Sequence, residues 1–424
     1  MSGAQPSMAS TASAASKKPS ASPGSLAGIR VIDLTQILAG PFCTQMLADH
    51  GAEVIKIETL LGDETRRLGP YREDDALRAY GGYYQSVNRN KKSIAVDLKT
   101  AEGREFVLRL IDEADVVVEN FRTGVMDRLD MSYETLSARN PKLVYAAIRG
   151  FGDPRSGASP YSNWPAFDVI AQAMGGMMGI TGPDAQTPLK VGPGVGDLIP
   201  AAYTAFGIVA ALLEAKQSGL GQFVDVGMVD SILATCERLV NQHTYTGKVP
   251  GPEGNRHPLL CPFGLLRAAD GWVALGAPTG DFWFKLCAII NRPELAEDPL
   301  FATNAARLER RAEVYDIVEA FTSTRTKADL LTILGGFIPF APVYDAEEIF
   351  ADEHFRVREM LVDVEQPGSA TPVQVAGIPV KMSRTPGRVR HRAPLLGEHT
   401  KEILAMAGYT REAADSLFAR NIVK

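Results

Sequence analysis

A chain of 424 residues exceeds the roughly 250–300 residues at which one hydrophobic core stops growing, so two domains, or one domain with a large insertion, are expected. Hydrophobic residues make up 45% of the chain and charged residues 22%, the balance of a folded globular protein and not of a disordered or collagen-like one. The formal net charge is −6 and no basic block interleaves with aromatics, which argues against nucleic acid as a partner.

Residues 1–25 are mostly Ser, Ala, Pro and Lys, without an apolar stretch or an Arg, and predict a disordered tail and not a signal or transit peptide. From Gly28 to Gly150 short β-branched runs alternate with longer helical patterns: GIRVIDLT, FCTQMLADHG, AEVIKIE, SIAVDL, AEGREFVLRLIDEA, DVVVE, YETLSARN and LVYAAI. This is the rhythm of a doubly wound α/β unit. The strand runs are apolar throughout, as parallel strands covered on both faces require. Gly51 is placed to stop one helix and Thr100 to cap the next.

A Gly- and Pro-rich stretch from Phe151 to Pro193 contains one helical segment, AFDVIAQAMGGMMG; a helix from about Asp197 to Lys216 and a strand, GQFVDV, follow it. The longest apolar run, Leu198 to Leu213, contains Pro200 and is shorter than the ~20 residues a membrane span needs, so no membrane is expected. Helices and a hairpin, CPFGLLRAADGWVALGA with its turn at Asp270-Gly271, predict a smaller α+β domain over 228–340. Residues 341–424 return to strands and short helices and are expected to complete the large domain begun by 26–227. Cys43, Cys236, Cys261 and Cys287 lie far apart, with no metal-ligand spacing, and imply a reducing, cytoplasmic setting and no metal.

Several catalytic patterns are absent: no phosphate-binding G-x-x-x-x-G-K-[ST], no dinucleotide G-x-G-x-x-G after a strand, no G-x-S-x-G elbow and no H-E-x-x-H. An NAD-dependent dehydrogenase therefore lacks its glycine fingerprint. The most informative local feature is Val191-Gly192-Pro193-Gly194-Val195-Gly196-Asp197, a glycine-rich bend that delivers a carboxylate to the start of a long apolar helix. First-turn amides and the helix dipole favour an ionised acid there. Most aspartates so placed only cap the helix. The glycines allow a substrate to approach the backbone closely.

The blocks LAGIRVIDLTQILAGPFCTQMLADHGAEVIKIE, NRNKKSIAVDLKTAEGREF, VVVENFRTG, PAFDVIAQAMGGMMGITG, VGDL and RAPLLGEHT, in this order, resemble the CaiB–BaiF (class III) CoA-transferases. The resemblance covers nearly the whole chain from Leu26. It implies Asp197 as the nucleophile of covalent catalysis, acylated by a donor thioester and then carrying CoA as an aspartyl thioester. The substrates it implies are acyl-CoA and a carboxylic acid, with no tightly bound cofactor. CoA contacts carry over to Leu38, Ala39, Thr59, Val96, Lys99, Asn120, Phe121, Arg128, Phe167 and Asp168. Thr59 stands where some members have a phosphate-binding Arg, and Leu38 where the formyl-CoA enzymes have a Gln. Arg66 and Arg89 are candidates for a bidentate grip on a second carboxylate, with a surface salt bridge as the ordinary alternative.

The resemblance also implies a Rossmann-like large domain with a parallel sheet, a small domain, and a homodimer of interlocked rings. The ITGP and NRNKKSIAV blocks look most like members acting on dicarboxylates such as succinate and glutarate, which suggests succinyl-CoA as donor. Two other functions stay open. An α-methylacyl-CoA racemase shares the fold but places a His where this chain has Phe167; a non-catalytic CoA-binding subunit would have no need of Asp197.

Overall fold

The computed structural model describes residues 23–424; residues 1–22, most of the expected tail, lie outside the described residues. The first half forms β1 (Arg30–Asp33), α1 (Ala39–Asp49), β2 (Glu53–Glu58), α2 (Gly82–Asn88), β3 (Lys91–Ala95), α3 (Ala101–Asp112), β4 (Val116–Glu119), α4 (Val125–Arg128), α5 (Tyr133–Arg139) and β5 (Val144–Arg149). It continues through α6 (Asp168–Met174), α7 (Val195–Ser218), β6 (Phe223–Gly227), α8 (Met228–Thr235) and α9 (Glu237–Thr246). The six strands make one parallel sheet in the order β3-β2-β1-β4-β5-β6. This is the doubly wound Rossmann order.

The uniformly apolar strands serve two layers, because successive side chains point to opposite faces. Ile32, Ile55 and Val117 pack under α3 with Phe106 and Leu110. Their neighbours Val31, Val54, Val116 and Val118 pack under α1 and α7. Thr100 caps α3 by accepting from the Gly103 N–H, as its position predicts. The helical segment at AFDVIAQAMGGMMG ends at Met174, because Gly176 turns at φ +92° against Leu239. At 24 residues and a mean hydropathy of 1.7, α7 is long and apolar enough to cross a membrane. One side of it packs against α1, α6, α8, β5 and β6.

A second core forms around β7 (Phe263–Ala268), β8 (Gly271–Gly276) and β9 (Phe340–Pro342), an antiparallel sheet in the order β7-β8-β9. Its apolar filling begins only at Cys261, with Trp283, Leu286 and Val314 among its buried members. Met228, Ile232 and Cys236 pack instead into the large core, so α8 and the start of α9 sit on the large domain, although the sequence pattern starts the small one at 228. Beyond β9 lie two short helices (Ala346–Ala351 and Glu353–Val357), the hairpin of β10 (Leu361–Val364) and β11 (Val373–Ala376), and two more helices (Thr400–Met406 and Arg411–Ala419), whose Ile403, Leu404 and Leu417 fill the first core. The last residues cover the sheet edge: Val423 bridges Val96, and the Lys424 N–H donates to the Ala95 carbonyl.

Candidate active site

In a doubly wound sheet the connections leave in opposite directions on either side of the first strand, and a crevice opens beyond the strand ends at that point. Here that point lies between β1 and β4. A cleft of about 290 Å³ occupies it, lined by the loop after β1, the loop after β4, the end of β5, the Trp164–Phe167 segment and Asp197. Asn120 fastens the two loops together: its Oδ1 accepts from the Gln36 N–H at 2.9 Å and its Nδ2 donates to the Gln36 carbonyl at 2.8 Å.

Both loops stand on buried charge. Asp33, fully buried, accepts from Thr35, Thr44 and the Lys91 ammonium. Burial opposes its ionisation, yet Lys91, Lys56 and the two hydroxyls hold its carboxyl below the usual range. Lys56 donates to the Thr35 carbonyl at 2.7 Å and pairs with Asp63, whose carboxylate faces the Ile37 N–H at 3.3 Å. Ile37 sits at φ +70°, a strained conformation for a β-branched residue that these contacts over-determine. On the other side Arg149 pairs with Glu119 and Asp153 and donates to the Phe121 carbonyl, while Glu119 accepts from the Phe121 N–H.

Asp197 is the third residue of α7, whose N-cap is Gly194. It does not cap. The first-turn amide of Gly196 is taken by Asp168 Oδ1 at 2.7 Å, so the cap comes from a neighbouring helix. Gly196 must be glycine for this: a Cβ there would lie 2.5 Å from the Asp168 carbonyl oxygen. A Cβ on Gly194 would lie 3.1 Å from Leu38 Cδ2 and 3.9 Å from both the Asp168 carboxyl carbon and Asp197 Oδ2, so these three side chains surround one bare glycine.

The helix terminus favours an ionised Asp197, and its surroundings act the other way. Burial, then the Asp168 charge, push its carboxyl up to about 7, with Lys190 acting against them. A carboxyl poised near neutrality in a cleft has the profile of a reactive group rather than of a cap.

The sequence-predicted contacts divide into three sets. Leu38, Ala39, Asn120, Phe121 and Phe167 line the cleft with Asp197, and Asp168 stands directly behind it. Thr59, Lys99 and Arg128 are exposed and outside the cleft lining, and the Thr59 hydroxyl donates to the Gly62 carbonyl. Val96 is 1% exposed and packs in the core. Arg66 and Arg89 are spent internally, Arg66 on Glu58 and Tyr84 and Arg89 on Asp49 and the Ala376 carbonyl, both buried. An arginine so committed has no free fork for a substrate carboxylate, and the two are buried ion pairs rather than surface ones.

Four residues near the cleft escaped sequence reading. Arg122, exposed at the cleft, follows Phe121 directly in the ENFRTG block, so its adjacency was a usable signal. Trp164 lines the cleft and packs against Tyr161. Tyr83 on α2 carries a phenol raised by burial and then by the charges of Asp197, Asp63 and Asp168. Gln172, fully buried on α6, ties Asp168 to the Val191 N–H. Among the described residues no cluster of three or more His, Cys, Asp or Glu could hold a metal.

Residues 26–400 match the family model described as CoA-transferase family III. The chain belongs to that family. A protein named succinyl-CoA:mesaconate CoA-transferase, from Haloarcula hispanica, is 47% identical over 385 residues, covering 91% of this chain and 97% of that protein. The succinate–glutarate CoA-transferase of Agrobacterium fabrum is 39% identical, covering 90% of this chain and 95% of that one. A crystal structure of a CaiB/BaiF family protein from Brucella suis superposes with a TM-score of 0.79 at 34% identity, covering 91% of this chain and 99% of that one. Family III membership makes the protein a CoA-transferase acting on acyl-CoA and a carboxylic acid.

Proposed function

We propose that the protein moves coenzyme A from succinyl-CoA to a dicarboxylic acid, with Asp197 as nucleophile. The observation that carries this is a carboxyl near pKa 7 at the sheet's crevice, reached through a bend of three glycines. The donor and acceptor classes are supported by the relatives, whose names specify succinyl-CoA with mesaconate and succinate with glutarate.

The Asp197 carboxylate attacks the thioester carbonyl carbon; the C–S bond breaks, CoA thiolate leaves, and a mixed anhydride remains. The thiolate then attacks the aspartyl carbonyl of the anhydride, releasing succinate and leaving an aspartyl-CoA thioester. The acceptor carboxylate attacks that thioester and expels the thiolate again, which takes the acceptor's acyl group from the second anhydride and restores Asp197. Every step exchanges one leaving group for one nucleophile, so no oxidant or metal enters. The Ala39 N–H, at the start of α1 where Leu38 and Ala39 line the cleft, is a candidate donor to developing oxyanion charge.

The same reading takes the molecule to be a homodimer, interlocked as the family resemblance implies. A compact monomer of 45.7 kDa would expose about 16,000 Å², whereas this chain exposes 22755 Å². An excess of this kind is surface that a large interface with a second copy would cover. Tyr203, Phe206, Val209 and Leu213, all exposed on α7, offer an apolar surface for it. The four cysteines are buried and unpaired, which suits a reducing cytoplasm.

The test is intact-protein mass spectrometry after incubation with succinyl-CoA and hydroxylamine or borohydride trapping, beside Asp197→Ala. Modification that maps to Asp197 and is missing in the variant is the expected result, with kcat/KM of the wild type rising through about pH 7. No modification by any acyl-CoA, together with α-proton exchange in deuterated water, would sink the transferase and bring forward the racemase.

A further inference from the structure

With Arg66 and Arg89 buried in ion pairs, the cation that reads the second carboxylate of a dicarboxylic acid must come from elsewhere. Lys190 lies on the segment leading into α7, with its side chain 40% exposed. Its ammonium is 3.1 Å from Asp168 Oδ2 and donates to the carbonyls of Val191 at 2.8 Å and Gly192 at 3.2 Å. Asp168 in turn shares the space around Gly194 with Asp197. Lys190 is also the cation whose charge acts on Asp197.

Of the ammonium's partners, the Val191 and Gly192 carbonyls do not depend on it, and the ion pair with Asp168 Oδ2 can persist while they are exchanged. Asp168 Oδ1 keeps the Gly196 N–H at 2.7 Å and the Gln172 amide at 2.8 Å. The Val191 and Gly192 carbonyls belong to an open loop at which water can replace a lost donor. The approach segment itself is held by Gln172, which accepts from the Val191 N–H at 2.9 Å. A carboxylate arriving from the substrate is a stronger acceptor for the ammonium than two neutral carbonyls. Acylation of Asp197 also removes the negative charge that Lys190 had faced, so the ammonium gains a reason to move at the step when an acyl group arrives.

We propose that Lys190 selects dicarboxylic acyl groups: its ammonium exchanges the Val191 and Gly192 carbonyls for the free terminal carboxylate of the acyl group carried on Asp197. The proposal rests on Asp197 as the acylated residue. It assigns Asp168 and Gln172 the positioning of that lysine and of the first turn of α7.

Succinyl-CoA and butyryl-CoA carry four-carbon acyl groups that differ in the terminal carboxylate, so the ratio of their kcat/KM values for trapped acyl-enzyme formation isolates that group. Lys190→Met is expected to lower the ratio by about tenfold or more, the worth of one charge-assisted hydrogen bond, through the KM for succinyl-CoA. Lys190→Arg is expected to restore most of it, and Lys190→Gln serves as a second neutral variant if the Met protein is poorly folded. An unchanged ratio in the neutral variants, whether or not both rates fall, overturns the proposal, since a merely structural lysine would affect both thioesters alike. Absence of any adduct on Asp197 in the wild type, with either thioester, is the separate failure of the underlying reading.

Discussion

The two sheets of this molecule end in different ways. At the carboxyl ends of the large sheet, side chains of Asp33, Lys56, Glu58, Arg66, Glu119 and Arg149, with Lys91 reaching Asp33 from the start of β3, are all buried, and each is tied to a loop around the cleft or to another member of the set. The small domain buries one cation, Arg307, 1% exposed, and satisfies it with the carbonyls of Cys261, Phe301, Ala302 and Pro278 without any carboxylate. Buried ion pairs seldom repay their desolvation as stability, so their concentration beneath one rim points to what they hold. Under the cleft they fix loop backbone at the atoms a substrate meets; in the small domain the guanidinium only closes a core.

The sharpest way to break that comparison is to remove one cation from each region. Arg149→Met leaves the buried Glu119 without a cation, while Asp153 keeps Arg155, and is expected to cost about 3–5 kcal/mol and to raise KM for CoA. Arg307→Met should cost about 1–3 kcal/mol in unmade carbonyl hydrogen bonds, with KM for CoA unchanged in the protein that folds. Denaturant melts and steady-state kinetics on the pair decide the matter, and an equal rise in KM from both would erase the distinction. Asn120→Ala probes the same rim with less disruption: losing its two hydrogen bonds to Gln36 should cost about 1–2 kcal/mol and loosen CoA binding more than it slows turnover. The smallest effect concerns Asp197 itself. Its folded pKa lies above the unfolded one, so the cost of its charge is present above about pH 7 and fades as pH falls toward the ordinary aspartate value of 3.8. Asp197→Asn should therefore raise Tm by about 1–2 °C at pH 8 and by less at pH 5, read by calorimetry at both pH values.

Much of this was legible in the sequence because it depended on period and punctuation. The six apolar runs became the six parallel strands, Thr100 capped its helix, and the Asp270-Gly271 turn joined β7 to β8. Leu38, Asn120 and Phe167, which came from the family resemblance and not from the pattern, line the cleft beyond a strand or before a helix. What escaped was set by partners distant in sequence. Arg66 and Arg89 look like free cations in a polar stretch, and only tertiary packing brings Arg89 to Asp49, 40 residues away. The forces on Asp197 divide the same way: helix position is local, but the Asp168 charge that opposes its ionisation comes from 29 residues earlier.

The covered sheet edge has a consequence for how the chain is made. Strand β3 is shielded by Val423 and Lys424, and Lys92 and Glu102 nearby pair with Glu402 and Arg420, across 310 and 318 residues of chain. An unshielded edge is a template for pairing with another chain. During synthesis the nascent large domain must wait for the small domain to be translated before its own border is sealed, a delay of about 15–60 s at ordinary elongation rates. Throughout that interval the half-finished polypeptide presents an open strand to its neighbours on the same message, the period in which chaperone occupancy would matter most to its yield.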